Sequence, residues 1–170
     1  MKLVKESLNN ILTFEELVKT APEEIQEYVT KSYDTPQGTD WHPEGAVGIH
    51  TEIVYNRAKK TGDINLMLAS LFHDLGKIFT TRPNKKGGYS AHAHERISAK
   101  LVEKYKNWIK ELGGDWKEVY EIVFEHMRIK QYDRMRPHKR ELLRQNKWFN
   151  KIVQFSNLDD MRTLTDDEVS

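Results

Sequence analysis

Residues 71–77 read Leu-Phe-His-Asp-Leu-Gly-Lys, so His73 and Asp74 sit side by side at the end of an apolar run that includes Leu66, Met67, Leu68, Ala69, Leu71 and Phe72. A charge placed inside such a run is costly unless something compensates it. For a neutral imidazole beside a carboxylate, the usual compensator is a metal ion. Other ionisable residues fall on inward phases elsewhere. His50 is in phase with Val47, Ile53 and Val54, and His126 with Val119, Ile122 and Val123. His94 opens a helical pattern, and Asp159 is in phase with Trp148, Ile152 and Phe155. One inward histidine is ordinarily a hydrogen-bonded core residue. Recurrence on at least four separate helices calls for a shared reason, and a metal centre that gathers nitrogen and oxygen ligands is one.

The composition narrows the chemistry. The chain has 170 residues, 38% of them hydrophobic and 31% charged, which favours one globular domain with a real core. It has no cysteine, so disulfides, thiolate metal ligands and cysteine nucleophiles are excluded. No apolar run approaches the roughly 20 residues of a membrane span. The N-terminal Met1-Lys2-Leu3-Val4-Lys5-Glu6 is too polar for a signal peptide, and the expected location is cytoplasmic.

The elements that must position these side chains read as helices, and the fold class expected is all-α. Thr13-Phe14-Glu15-Glu16 has the form of a capping box, and Thr20-Ala21-Pro22-Glu23 opens a second helix. Residues 34–45 read as loop. A helix follows over about 46–60, and Asp63 caps the next one, which runs to Phe72. Residues 80–90 read as an exposed loop, and 91–112 as one helix stopped by Gly113-Gly114. Asp115-Trp116-Lys117-Glu118 looks like a second capping box, with its helix running to about His126. Residues 130–138 read as loop, and 139–161 as a last helix; no strand of useful length is expected.

The order His50, then His73-Asp74 after 23 residues, then a distant Asp159 resembles the HD-domain metal-dependent phosphohydrolases. The stretches that carry the likeness are Trp41-His42-Pro43-Glu44-Gly45 through His50-Thr51, and His73-Asp74-Leu75-Gly76-Lys77. The first is especially similar to the HD domain attached to bacterial tRNA nucleotidyltransferases. The likeness covers about residues 41–161. It implies a single-domain HD-type helical bundle with a central metal site, placed over residues 41–165. Residues 1–40 lie outside the likeness and read as a helical extension packing on the core. His50, His73, Asp74 and Asp159 are the metal ligands it implies. Asp160 competes with Asp159, and helical phase favours Asp159. His94 and His126 fall where two-metal members carry two further histidines; the other reading has them lining the pocket and touching substrate phosphate.

The same resemblance implies hydrolysis of a phosphoester by a water that one or two divalent ions activate, with Asp74 orienting it. Histidine and carboxylate ligands leave manganese, nickel, cobalt, iron, magnesium and zinc as options. Lys77 lies one helical turn beyond His73 and can reach a phosphate, or simply compensate a helix C-terminus. Arg96 and Arg128 each follow a candidate histidine by two residues, as phosphate clamps or as surface arginines.

The leading substrate is a nucleotide or RNA-end phosphoester, of nucleotidase or 2′,3′-cyclic phosphodiesterase type. A deoxynucleoside triphosphate or a cyclic dinucleotide is the alternative within the family. The alternative outside it is a nucleic-acid-binding module with a structural metal. Charge distribution bears on that choice. Residues 1–45 carry nine acids and four bases, whereas 128–151 carry nine bases against Asp133 and Glu141. The second stretch is either a solvated helix face or a surface for phosphate-rich ligands.

Overall fold

The computed structural model describes residues 12–169; of the extension expected over 1–40, residues 1–11 lie outside the described part. The described chain is mostly helical. In order it forms α1 (Phe14–Thr20), α2 (Glu23–Ser32), α3 (Val47–Thr61), α4 (Ile64–Phe72) and the single turn α5 (Lys77–Thr80). Strands β1 (Thr81–Pro83) and β2 (Tyr89–Ala91) follow, then α6 (His94–Lys104), α7 (Lys106–Glu111) and α8 (Trp116–Glu125). A 3₁₀ helix (Arg128–Arg134), α9 (Pro137–Arg144), α10 (Phe149–Asp159), a 3₁₀ turn (Met161–Thr163) and α11 (Asp166–Val169) complete it.

The helix α4 is the axis of the bundle. Every residue from Leu66 to Phe72 is buried, as suits a helix that is apolar all round. It packs against α3, α6 and α8, and α10 lies across α3 and α8. Its start is fixed by Asp63, whose carboxylate accepts from the amides of Asn65 and Leu66. Residues 12–32 join the same core. Leu12, Phe14, Leu17, Ile25 and Val29 are buried, the Phe14 and Tyr55 rings meet edge-on at 5.4 Å, and the Tyr55 hydroxyl donates to the Leu12 carbonyl. The Thr13 capping box is complete, with Thr13 Oγ1 and Glu16 Oε1 each accepting the other residue's amide.

Several boundaries differ from the sequence expectation. The loop over 80–90 is a hairpin, with Thr81 opposite Ala91 and Pro83 opposite Tyr89. Asn84 closes its tip by accepting from the amides of Lys86 and Gly88, and Gly87 turns at φ +83°. Strands of three residues are too short to display alternation. The single helix over 91–112 is two, broken at Tyr105, whose hydroxyl is drawn to Glu24 on α2. Residues 128–134, expected mainly as loop, form the 3₁₀ helix. The last helix is also two. Asn146 turns the chain between them, accepting from the Trp148 amide and donating to Glu121 Oε2. The second capping box is half formed: Asp115 caps Lys117 and Glu118, but the Glu118 side chain turns to Asn65.

Glu125 ends α8 almost buried, and burial pushes its carboxyl above the ordinary range despite Arg128 Nε at 3.1 Å. The negative end of the helix dipole works in the same direction. A raised folded-state pKa means a contribution that is complete below the unfolded value and lost as pH rises through the folded one. The variant Glu125→Gln is therefore expected to melt higher than the parent at pH 8, by roughly 2 °C. The difference should vanish near pH 4 in parallel thermal melts.

Candidate metal centre

Three helix C-termini and one helix N-terminus meet at one point. His73 is the cap residue after α4, His126 the cap residue after α8, and Asp159 the last residue of α10. His94 is the first residue of α6, and His50 comes from the first turn of α3. With Asp74 they form a cluster in which no side chain's residue is more than 4% exposed. Free carbonyls at a helix C-terminus carry partial negative charge, so their convergence favours a cation there.

One device sets three of the four imidazoles. Nδ1 of His73 donates to the Ser70 carbonyl at 2.8 Å, Nδ1 of His94 to Ala91 at 3.0 Å, and Nδ1 of His126 to Val123 at 2.6 Å, each three residues back. A carbonyl only accepts, so each Nδ1 carries the proton and each neutral ring presents a bare Nε2 lone pair. The fourth, His50, points Nδ1 at Glu44 Oε2, 2.6 Å away, and Glu44 also accepts from His42 at 3.3 Å. Partners of this kind orient metal-ligating histidines.

The bare nitrogens then face one another. His50 Nε2 lies 3.3 Å from His73 Nε2 and 2.7 Å from Asp159 Oδ1, while His73 Nε2 lies 3.2 Å from both Asp159 Oδ1 and Asp74 Oδ2. On the other side, His94 Nε2 lies 3.2 Å from His126 Nε2 and 3.1 Å from Asp74 Oδ1. Asp74 thus offers one oxygen to each group. Lone pairs so placed repel unless a proton or a metal cation sits among them. Ligand atoms about 2.0–2.2 Å from a common ion lie roughly 3.0–3.5 Å apart, so the donor set fits a divalent cation.

The charges agree. Burial raises the cost of ionising Asp74, but His73 and Lys77 outweigh it and hold its carboxyl well below the usual range. Lys130 and His73 do the same for buried Asp159. Burial opposes protonation of His73, yet Asp74 and Asp159 push it up to about 10, so without a metal ion a proton on its Nε2 takes the cation's place, whereas burial pushes His126 down to about 4. The side nearer Asp159 therefore draws positive charge more strongly.

The other residues singled out from the sequence lie at varied distances from this cluster. Lys77 Nζ is 3.3 Å from Asp74 Oδ2 and donates to Gln37 Oε1. Arg96 is exposed on α6, with no side-chain hydrogen bond or ion pair to the described residues, and Arg128 pairs with Glu125 at the rim. Asp160 turns away to Arg162.

Four contributors were not singled out. Glu44 lies inside the quoted motif, and Lys130, in the basic stretch, reaches Asp159 Oδ2 at 2.8 Å. Gln37 ties the loop over 34–45 to Lys77. Arg57 donates from Nη1 to the carbonyls of Leu158 and Asp160, at 3.0 Å each, and so brackets Asp159. The contacts of Lys130, Gln37 and Arg57 span long sequence separations, whereas Glu44 lies six residues from His50 within a motif.

Two backbone features complete the geometry. Ala93 is left-handed at φ 58°, ψ 26°, turning the hairpin into α6 so that His94 points inward. That conformation costs a non-glycine residue roughly 1 kcal/mol. Gly76 lies against α6, where a Cβ would come 2.2 Å from the His94 carbonyl oxygen, and its amide donates to Ser98 Oγ.

Comparison with known proteins gives the family. The HD domain family matches residues 47–152. Similar curated proteins include the multifunctional CCA protein of Xylella fastidiosa, 46% identical over 52 residues, 29% of this chain and 12% of the relative. That of Dechloromonas aromatica is 38% identical over 79 residues, 44% of this chain and 18% of the relative. That of Vibrio cholerae is 28% identical over 111 residues, 64% and 27% of the two chains. The alignments thus span about a quarter or less of these relatives' length. No solved structure matches the chain. With the paired histidine and aspartate, the helical bundle and the family match all in place, the chain belongs to the HD domain family of metal-dependent phosphohydrolases.

Proposed function

We propose that this protein hydrolyses a phosphoester of a nucleotide or RNA end, using two divalent ions. The observation that carries the two-ion reading is Asp74, whose Oδ2 faces His73 and His50 while Oδ1 faces His94 and His126. In this reading His50, His73, Asp74 and Asp159 hold one ion, and His94, His126 and Asp74 hold the other. Bound there, divalent ions lower the pKa of water to roughly 7 and neutralise charge on the phosphoryl group. The chain's own residues do the rest. Lys77 presents an ammonium beside Asp74 and Lys130 one beside Asp159, so two cations flank the cluster. They suit an anionic phosphate and steady its oxygens as charge develops. Arg96 and Arg128 supply outer phosphate contacts for a longer substrate. Glu44 holds the His50 ring in place through Nδ1.

The likeness to multifunctional CCA proteins favours a nucleotide or RNA-end ester over a deoxynucleoside triphosphate or a cyclic dinucleotide. The basic unit in this reading is residues 41–165, with the described part of the preceding extension laid on it. Among the described residues no helix is long and apolar enough to cross a membrane.

The deciding experiment strips the protein of metal, reloads it with manganese, nickel, cobalt or magnesium, and reads products by mass spectrometry. The panel holds 2′,3′-cyclic, 2′- and 3′-mononucleotides, deoxynucleoside triphosphates and cyclic dinucleotides. Metal-dependent turnover of the mononucleotides, falling at least about 100-fold in Asp74→Ala, is the expected result. Release of tripolyphosphate or a linear dinucleotide instead would reassign the substrate. Turnover of nothing by the loaded protein would remove the enzyme reading.

Metal content tests the two-ion arrangement separately. Elemental analysis should find about two ions per wild-type chain and about one in His94→Ala. Gly76→Ala should resemble His94→Ala, because its Cβ displaces the His94 backbone. Unchanged metal content in both variants would favour a single ion with His94 and His126 lining the pocket.

A further inference from the structure

The 3₁₀ helix Arg128–Arg134 has three residues per turn, so its side chains fall on three faces. Ile129 and Tyr132 form the inward face, Ile129 buried and the Tyr132 ring 5.8 Å from that of Phe149. Lys130 reaches the centre, with Nζ 2.8 Å from Asp159 Oδ2. Arg128, Gln131 and Arg134, at i, i+3 and i+6, line a surface cleft that Met135, Arg136 and Lys139 complete.

Four of these six lining residues are basic and none is acidic. Arg128 is paired with Glu125 at 3.1 Å. Arg134, Arg136 and Lys139 are exposed and make no side-chain hydrogen bond or ion pair with the described residues. Exposed bases elsewhere, such as Arg96 and Lys100, are likewise without a carboxylate partner among the described residues; what sets these three apart is that they converge on one concavity that no acid lines. Like charges gathered in a concave surface repel one another and raise the local anion concentration. Guanidinium forks match phosphate oxygens in geometry as well as charge. Arg128 and Arg134, two turns apart on one face with Gln131 between them and Arg136 beside them, suit more than one phosphate.

We propose that this cleft holds the sugar–phosphate backbone of a single-stranded nucleic acid whose terminal phosphoester enters the centre past Lys130. The preferred substrate is then a polynucleotide end, not a free mononucleotide. The inference rests on the phosphohydrolase reading above for the chemistry at the terminus, but the cleft can be tested without turnover.

The probe is a fluorescein-labelled oligoribonucleotide of about ten residues ending in a 2′,3′-cyclic phosphate, compared with the corresponding cyclic mononucleotide. The protein is the metal-loaded full chain, wild type and the triple variant Arg134→Glu, Arg136→Glu, Lys139→Glu, with a second triple variant to Gln. All three positions are exposed, and equal thermal melts verify the fold. Fluorescence anisotropy at salt concentrations from about 50 to 200 mM reads binding.

The variants are expected to bind the oligonucleotide at least about tenfold more weakly, with the log–log salt slope reduced by about 2, as losing three phosphate contacts requires. Their turnover of the mononucleotide should stay within about twofold of wild type, and their turnover of the oligonucleotide should fall with binding. Oligonucleotide binding that the variants leave unchanged, or no binding by wild type, would overturn the cleft assignment. If wild type turns over neither probe but loses oligonucleotide binding in the variants, the cleft stands and the hydrolase reading falls. If it turns over both probes alike and the variants change nothing, the hydrolase stands and the cleft falls.

Discussion

A cluster of lone pairs that cannot hydrogen-bond to one another sets the terms for this structure. Four imidazoles and two carboxylates sit buried within a helical core. Three of the rings have spent their protonated nitrogen on a carbonyl three residues back. What remains in the middle is acceptor against acceptor, an arrangement that costs free energy unless positive charge enters. The helix ends contribute to the same demand, because the negative ends of three helix dipoles meet at the cluster. A divalent cation satisfies both requirements, and the surrounding fold is arranged to keep the donors at the separations such an ion accepts.

The bundle achieves this through α4. Its all-round apolar surface requires helices on every side, and those neighbours then deliver His50, His94 and His126 around its C-terminal His73 and Asp74. The positions are fixed from behind. Arg57 clamps the carbonyls on either side of Asp159, Gly76 allows α6 to approach, and Glu44 holds His50. Lys77 and Lys130 stand beside the two carboxylates, so the outer face of the cluster is positive while its inner face is donor-rich. That division suits an anionic ester, which meets ammonium groups as well as the ions. Arg134 at the end of the 3₁₀ helix, with Arg136 and Lys139 at the start of α9, extends the same field outward along the surface.

Local sequence determined the parts of this protein that depend on neighbours in the chain. Helix starts at Thr13 and Asp63, the inward phases of His50, His126 and Asp159, and the adjacent His73-Asp74 were all legible, because period and capping are local properties. So was the all-helical class, since a core helix without polar interruption leaves few other folds. Tertiary structure decided the rest. The hairpin at 81–91 is too short to show alternation, and the breaks at Tyr105 and Asn146 follow from partners on α2 and α8. Glu118 left its capping box for Asn65, some fifty positions away in sequence. Lys130 and Arg57 gained their roles from Asp159 and its flanking carbonyls across the bundle, and nothing beside them in the chain records it. Which oxygen of Asp74 faces which histidines depends on the packing of four helices, and a linear pattern carries no information about that separation.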